Sequence, residues 1–162
     1  MRFIVLMLLF SGLLLAADVD FSGTWMLNRD KSEFPEPPQG REGRRGFAAA
    51  KMTITQKENT IVVERSFSGR DGEERTMETE FDLTGKATKE KGRRGTTEHK
   101  AKMEGDVLTV ESVRFMERQG MEFEIVTNQK WSLVDGGKGL LIESSTETPM
   151  GKRESKAYYD KQ

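Results

Sequence analysis

The sequence has 162 residues, with 26 Lys and Arg against 27 Asp and Glu, one His and no Cys. That length fits one domain. The near-zero net charge argues against nucleic acid as a partner, because nucleic-acid binders normally carry a basic excess. The absence of Cys excludes disulfides, thiolate metal sites and Cys nucleophiles. With a single His as well, we predict no metal site and no cofactor.

Residues 1–17 have the pattern of a secretory signal peptide. A positive start at Arg2 is followed by an almost wholly apolar run over 3–15, and small residues ending at Ala17 precede the acidic Asp18. An apolar run of about 7–15 residues in this setting is typical of export signals. It is shorter than the roughly 20 residues that a membrane span needs. We therefore expect cleavage near Ala17 and a secreted or periplasmic protein without a stable membrane anchor; an uncleaved N-terminal anchor is the alternative.

The remaining chain, 18–162, alternates apolar and polar side chains with a period of two. Alternation sustained over many residues predicts β-strands, because a helix would scatter the same side chains around its axis. Turn-forming Gly, Asn and Asp separate the runs, as in antiparallel hairpins. We predict a single all-β domain, an antiparallel up-and-down meander of about 8–10 strands closed into a barrel, with 86–91 as the least certain strand. The longest run places Met121, Phe123, Ile125, Thr127, Gln129, Trp131 and Leu133 on one face.

A long connection, with neither the period of a strand nor that of a helix, separates the first strand from the rest. We place this loop at 28–50, where Pro, Gly and Arg are frequent. Connections of this length are usually functional or loose, and in a ligand-binding barrel the position suits a lid.

The segment Gly-Arg-Arg-Gly occurs twice, at 43–46 and at 92–95. If both loops lie at one mouth of the barrel, they form a positive rim for an anionic head group or polymer. The alternative is that they are polar turns that keep the barrel in solution, as runs of charge usually are.

The first strand resembles the opening strand of the lipocalin and fatty-acid-binding barrels, the calycins. Phe21, Gly23 and Trp25 match the Gly-x-Trp signature of that family and the aromatic residue two positions before it. Residues 155–159 are similar to the last strand of the fatty-acid-binding members. The stretch 20–34, together with the C-terminal end of the chain, also resembles secreted bacterial lipocalin-like proteins.

The resemblance implies a calycin-like barrel for 18–162 and a small lipid-like ligand. It also implies that Trp25 plugs one end of the barrel, with a basic side chain of the last strand over its ring. Arg153 and Lys156 are the candidates for that barrel-closing cation. The spacing of Lys156 and Tyr158 matches the Arg-x-Tyr pair that holds a carboxylate in fatty-acid-binding members, with Lys in place of Arg.

If the apolar face of each strand points inward, the interior is apolar with a few polar groups. Such an interior suits an amphipathic molecule whose head group is fixed by those polar groups. His99 shares a face with Ala101, but its charged neighbours favour a position in solvent. The candidate ligand-binding residues are Trp25, Arg65, Thr79, Phe81, Phe123, Thr127, Gln129 and Trp131.

Three functions fit this sequence. The leading one is an exported barrel that binds a small hydrophobic or amphipathic ligand in a cavity of roughly a few hundred Å³. The alternative is a non-enzymatic envelope or interaction module, with a barrel filled by its own side chains and acting through its surface loops on a protein partner that the sequence does not identify. The third, a barrel hydrolase or isomerase, needs His99 and a carboxylate to converge in a cleft. No hydrolase or metalloprotease motif is present, so we predict no catalytic residues and no enzyme.

Overall fold

The computed structural model of the chain describes residues 19–35, 48–68, 73–92, 95–118 and 120–162. The predicted signal peptide, much of the predicted loop over 28–50 and the paired arginines of both Gly-Arg-Arg-Gly segments lie outside these ranges. Within them, the only helical segment is a three-residue 3-10 turn at Asp135–Gly137. No helix of the described chain is therefore long enough to cross a membrane.

The described chain forms antiparallel β-strands, as the period-two pattern predicts. The weakest predicted strand, at 86–91, is present as a short one. In chain order the strands are β1 (Gly23–Glu33), β2 (Lys51–Lys57), β3 (Thr60–Ser68), β4 (Glu74–Asp82), β5 (Thr88–Gly92), β6 (Gly95–Glu104), β7 (Val107–Arg118), β8 (Met121–Val134), β9 (Gly139–Thr148) and β10 (Gly151–Lys161).

The strands form one sheet that curls into a nearly closed barrel. Its order is β4-β3-β2-β1-β10-β9-β8-β7-β6-β5, so β1 pairs with β10 and the two edges are β4 and β5. Next to these edges, a backbone bridge joins Thr84, just after β4, to Lys102 of β6, in the part of β6 that β5 does not cover. Next to it, the Thr88 hydroxyl donates to the Glu80 carbonyl oxygen at 2.9 Å. We call this junction the β4–β5 seam. The predicted antiparallel up-and-down barrel is confirmed.

The first strand is longer than the sequence predicts. β1 runs through Glu33, so the irregular connection begins there and not at residue 28. The additional residues pair with β10 alone, after a shift in register between Asn28 and Glu33. The Asn28 side-chain amide donates to the Asp160 carboxylate at 2.7 Å and fixes this extension. A strand that pairs on one side and is mostly exposed shows no apolar alternation, which explains the wrong boundary.

The apolar core fills one end of the barrel, where β1 begins and β10 ends; we call this the closed end. Trp25 is fully buried there, and its indole N–H donates to the Phe21 carbonyl oxygen at 3.0 Å. Gly23 has φ +140°, and a Cβ at that position would lie 2.8 Å from Cε of Lys161. The glycine of the Gly-x-Trp signature thus permits both the backbone conformation and the close approach of β10. The other fully or nearly fully buried side chains include Met52, Ile61, Val63, Phe81, Leu108, Val110, Trp131 and Leu140.

Candidate functional site

Beyond the core at the closed end, the barrel encloses a cavity of about 550 Å³. Strands β2 to β10 all contribute side chains to its wall. A volume of this size is in the range of small-molecule sites. The barrel is therefore not filled by its own side chains, which removes the structural basis of the second function considered above. The lining includes Met52, Arg65, Phe67, Met77, Thr79, Phe81, Glu90, Thr97, His99, Ser112, Arg114, Ile125, Thr127, Gln129, Trp131, Ile142, Ser144, Thr146, Ser155, Ala157 and Tyr159.

Arg65 presents a positive charge to this cavity. It lies on β3 between Met52 and Met77 of the neighbouring strands. Its guanidinium carbon is 5.8 Å from the centre of the Phe81 ring and 5.7 Å from that of Trp131. Burial lowers the pKa of Arg65, while the nearby Tyr159 and Glu90 act in the opposite direction. Within the described part of the chain, no carboxylate lies within 4.0 Å of its nitrogens to form an ion pair.

His99, Ser112 and Glu90 form a second polar group in the same cavity. The Ser112 hydroxyl is 2.8 Å from Nδ1 of His99, and a Glu90 carboxylate oxygen is 3.6 Å from Nε2. Burial lowers the pKa of His99, and Arg65 and Arg114 lower it further, although Glu90 opposes them. The expectation that His99 faces solvent is wrong, because its side chain is only 11% exposed. The position of His99 on the same face of β6 as Ala101, which is buried, was the better indication that it points inward.

The convergence of His99 with Glu90 meets the geometric condition set for a hydrolase, but the surrounding backbone does not support acyl transfer. A serine nucleophile needs backbone N–H groups or other donors aimed at a developing oxyanion. Ser112 lies in the middle of β7, which is paired with β6 on one side and β8 on the other. The backbone N–H groups around it are therefore used by the sheet.

Most of the predicted ligand-binding residues lie in the cavity wall. Arg65, Thr79, Phe81, Thr127, Gln129 and Trp131 all line it. Trp25 lies in the plug at the closed end and not in the lining. Phe123 is partly buried on β8, beyond the lining. No group of three or more His, Asp or Glu side chains suitable for a metal ion occurs among the described residues.

The basic side chain over Trp25 is Lys161, and the assignment to Arg153 or Lys156 is corrected. Nζ of Lys161 lies 5.1 Å from the centre of the Trp25 ring. Trp25 pairs with Lys161 in the sheet. At about 3.3 Å per residue, Lys156 and Arg153 lie roughly 16 and 26 Å further along β10. Lys156 instead forms an ion pair with Glu33 at 3.7 Å.

Tyr159, and not Tyr158, is the inward tyrosine of the last strand. Tyr158 points outward and donates its hydroxyl to Asp135. Tyr159 is 2% exposed and lines the cavity. The Lys156-x-Tyr158 match is therefore displaced by one residue, which in a strand reverses every side chain. The charged side chains of Glu154 and Lys156 on the other face were the signal that could have fixed the register.

A second groove, of about 650 Å³, lies outside the barrel. Phe34 and Pro35 border it, together with outward side chains of β8, β9 and β10 such as Lys130, Glu143 and Lys156. These charged residues are exposed. The groove holds no buried, unpartnered charge, so the interior cavity is the stronger candidate site.

Comparisons with known proteins identify the fold. No protein-family model matches the chain, and no curated protein sequence does. Zebrafish ileal bile acid-binding protein, solved with cholic acid, is similar in structure, with a TM-score of 0.58, 17% identity and coverage of 88% of this chain and 98% of that one. A secretory abundant heat soluble protein from Ramazzottius varieornatus gives a TM-score of 0.61, with 13% identity over 91% of this chain and 98% of its own. A fatty acid transporter, REP1-NXSQ, gives 0.55, with 10% identity over 87% and 95%. The chain thus has the calycin-like fold of these barrels.

Proposed function

We propose that this protein binds a small amphipathic molecule with an anionic head group inside its barrel, and that Arg65 is the counter-ion of that group. The observation that carries the proposal is a desolvated guanidinium that faces a cavity without an ion-pair partner among the described residues. Removing a charge from water is unfavourable unless a partner compensates for it. A ligand carboxylate, sulfate or phosphate supplies that partner, and the planar guanidinium can hold it through two hydrogen bonds.

The aromatic rings around Arg65 support the same function. Phe81 and Trp131 contact each other edge to face, with ring centres 6.1 Å apart, and Arg65 lies over both rings. Cation–π contacts hold the guanidinium without using its N–H donors. The donors therefore remain available for an anion. Two of the structurally similar proteins bind or carry amphipathic carboxylic acids according to their names, cholic acid and fatty acid.

The same cavity favours binding over catalysis. Two of the similar barrels are named as a bile acid-binding protein and a fatty acid transporter. The cavity's Ser-His-Glu group lacks free backbone donors, as argued above. We therefore propose a carrier or sequestering role, and no enzymatic one.

Export belongs to the proposal as well. The charge and apolar pattern of residues 1–17 supports a cleaved signal peptide and a periplasmic or secreted location. Intact mass spectrometry of the protein from the periplasm or the culture medium tests it: a mass for residues 18–162 is expected, whereas the mass of the whole chain retained in a membrane fraction would contradict cleavage.

The binding function is tested by calorimetric titration of the purified barrel with palmitate, cholate and an uncharged alcohol of matched chain length. At least one anionic amphipath is expected to bind. Arg65→Met should weaken its binding by about 10–100-fold, as expected for the loss of a charged hydrogen-bonded pair. Lys100→Met is the matched control, because Lys100 is exposed on the outward face of β6. If no amphipathic anion binds at millimolar concentration, the proposed function is wrong.

A further inference from the structure

Seven of the polar residues of the cavity form two adjacent cross-strand rows. In the first row His99, Ser112, Thr127 and Thr146 lie opposite one another on β6, β7, β8 and β9. In the second row Gln129, Ser144 and Ser155 lie opposite one another on β8, β9 and β10. All seven side chains line the cavity. We call them together the hydroxyl wall.

The strands across the cavity present the opposite chemistry. Met52 of β2, Phe67 of β3, and Met77 and Phe81 of β4 line this side. We call these four residues the apolar wall. Arg65 stands among them, between Met52 and Met77. Most hydroxyl groups of the cavity thus lie on β6 to β9, beside the apolar Ile125, Trp131, Ile142 and Ala157, whereas the opposite side is mainly apolar apart from Thr79 and the Arg65 cation.

The hydroxyl wall keeps hydrogen-bonding capacity for a ligand. Its members pair with each other: Thr127 with Thr146 at 3.2 Å, and Gln129 with Ser144 at 3.1 Å. Each hydroxyl can donate one hydrogen bond and accept two, so these contacts leave donors and acceptors unused. Nε2 of His99 is buried and has no hydrogen-bond partner in the described structure.

We infer that the ligand is facially amphipathic: a rigid molecule with hydroxyl groups along one edge, a bare apolar face and an anionic end. Its hydroxyls lie on the hydroxyl wall, its bare face lies on the apolar wall, and its anion pairs with Arg65. This inference rests on the proposed function and narrows its ligand class. A simple alkyl chain would remove water from the hydroxyl wall without replacing the hydrogen bonds, which buried polar groups require.

The test compares two acids with the same ring skeleton and the same carboxylate, cholate with its three hydroxyls and 5β-cholanic acid with none. Calorimetry should show cholate binding at least about tenfold more tightly, because a site built to hydrogen-bond hydroxyls rejects the analogue that lacks them. Hydrophobicity alone predicts the reverse order, so the sign of the difference is diagnostic. Palmitate is the third ligand.

A pair of isosteric variants locates the effect. Thr127→Val with Thr146→Val should bring the cholate-to-cholanate affinity ratio close to one, with palmitate affinity no lower than in the wild type. Thr53→Val, on the outward face of β2, should leave the ratio as in the wild type. If palmitate or cholanate binds and cholate does not bind more tightly, the facial inference is overturned and the proposed function stands. If none of the three acids binds, both are overturned.

Discussion

At the residue scale, Arg65 has opposite effects on folding and on binding: it should destabilise the ligand-free barrel and favour the binding of an anion. Its guanidinium loses water on folding, and among the described residues the aromatic faces at 5.7–5.8 Å and the more distant Glu90 compensate for it without an ion pair. A residue kept for a ligand in this way should destabilise the barrel when no ligand is bound. The binding role of Arg65 can therefore be tested without knowing the ligand.

We predict that Arg65→Met raises the free energy of unfolding of the ligand-free protein by about 1–4 kcal/mol. This is the range seen when buried charged groups are replaced by well-packed apolar residues. Urea unfolding followed by circular dichroism measures it, with Lys100→Met, exposed on β6, as the control with the same loss of charge. A clear loss of stability in Arg65→Met would mean that the arginine is structural.

Tyr159 gives the cavity a measurable pH response. Burial raises the pKa of Tyr159 to about 12, although Arg65 and a backbone hydrogen bond from Ala49 oppose the shift. In the unfolded chain the phenol titrates near pH 10. The contribution of the neutral phenol to stability is therefore complete below about pH 10 and is lost as the pH rises through the folded-state pKa.

We predict that the wild type loses about 2–3 kcal/mol more stability than Tyr159→Phe between pH 10 and 12. Absorbance at 295 nm should show a phenolate step near pH 12 that Tyr159→Phe loses; the step that remains in this variant belongs to Tyr158, whose pKa the hydrogen bond to Asp135 also raises. The chain has two tyrosines, so Tyr158→Phe is the control and should retain that step. Ionisation of Tyr159 near pH 10 in the folded protein would contradict its burial.

At the element scale, the sequence predicts strands well where both faces of the sheet impose a pattern. β8 shows this, with alternation along most of its length. Prediction from the sequence fails where a strand lacks a neighbouring strand on one side. Beyond Asn28, β1 pairs with β10 alone, and its sequence resembles that of a loop. The register of β10 is the second feature that the sequence predicts wrongly. The apolar period places β10 in the sheet, but the match at Tyr158 selected the wrong face, because only neighbouring strands fix a shift of one residue.

The β4–β5 seam is the element at which the barrel should open. Interior strands share ladders on both sides, whereas the edges β4 and β5 meet through side-chain contacts, beside a bridge from Thr84 to Lys102 of β6. One of these contacts, from the Thr79 hydroxyl to the Glu90 carboxylate, is 3.3 Å long. Few backbone hydrogen bonds cross the seam, so local opening there requires little free energy.

We predict that amide hydrogens of β4 and β5 exchange at least about tenfold faster than those of the interior strands β8 and β9. Hydrogen exchange resolved by NMR measures this. Thr88→Val removes the hydroxyl that donates to the Glu80 carbonyl oxygen and should accelerate exchange in β4 and β5 alone. Thr53→Val, on β2, is the control. Equal protection across all ten strands would contradict an opening at the seam.

At the scale of the whole molecule, the sequence defines the barrel but not what it holds. The inward residues could be read from alternation, but whether they leave a cavity between them could not. The division of that cavity into a hydroxyl wall and an apolar wall could not. It depends on the pairing of His99 with Ser112 and of Thr127 with Thr146, residues separated along the chain and aligned only by the register of four strands.

The two walls lie on opposite sides of the seam, and this links binding to the stability of the whole barrel. Strands β2 to β4 carry the apolar wall and Arg65, while β6 to β10 carry the hydroxyl wall. A ligand that contacts both walls connects β4 with β6 across the cavity, where the sheet itself is interrupted. Binding should therefore stabilise the molecule globally and also protect the seam.

We predict that an anionic amphipath at 100 times its dissociation constant raises the free energy of unfolding by about 2.7 kcal/mol. For a domain of this size that corresponds to a rise of roughly 5–10 °C in melting temperature. Amide exchange in β4 and β5 should slow by more than exchange elsewhere. Arg65→Met, with its 10–100-fold weaker binding, should keep only about 0.4–1.4 kcal/mol of this stabilisation at the same ligand concentration and a correspondingly smaller protection of β4 and β5, although its ligand-free barrel is the more stable one. A rise in melting temperature without added protection of β4 and β5 would place the ligand on one wall only, because only a molecule in contact with both walls restrains the edges of the sheet against each other.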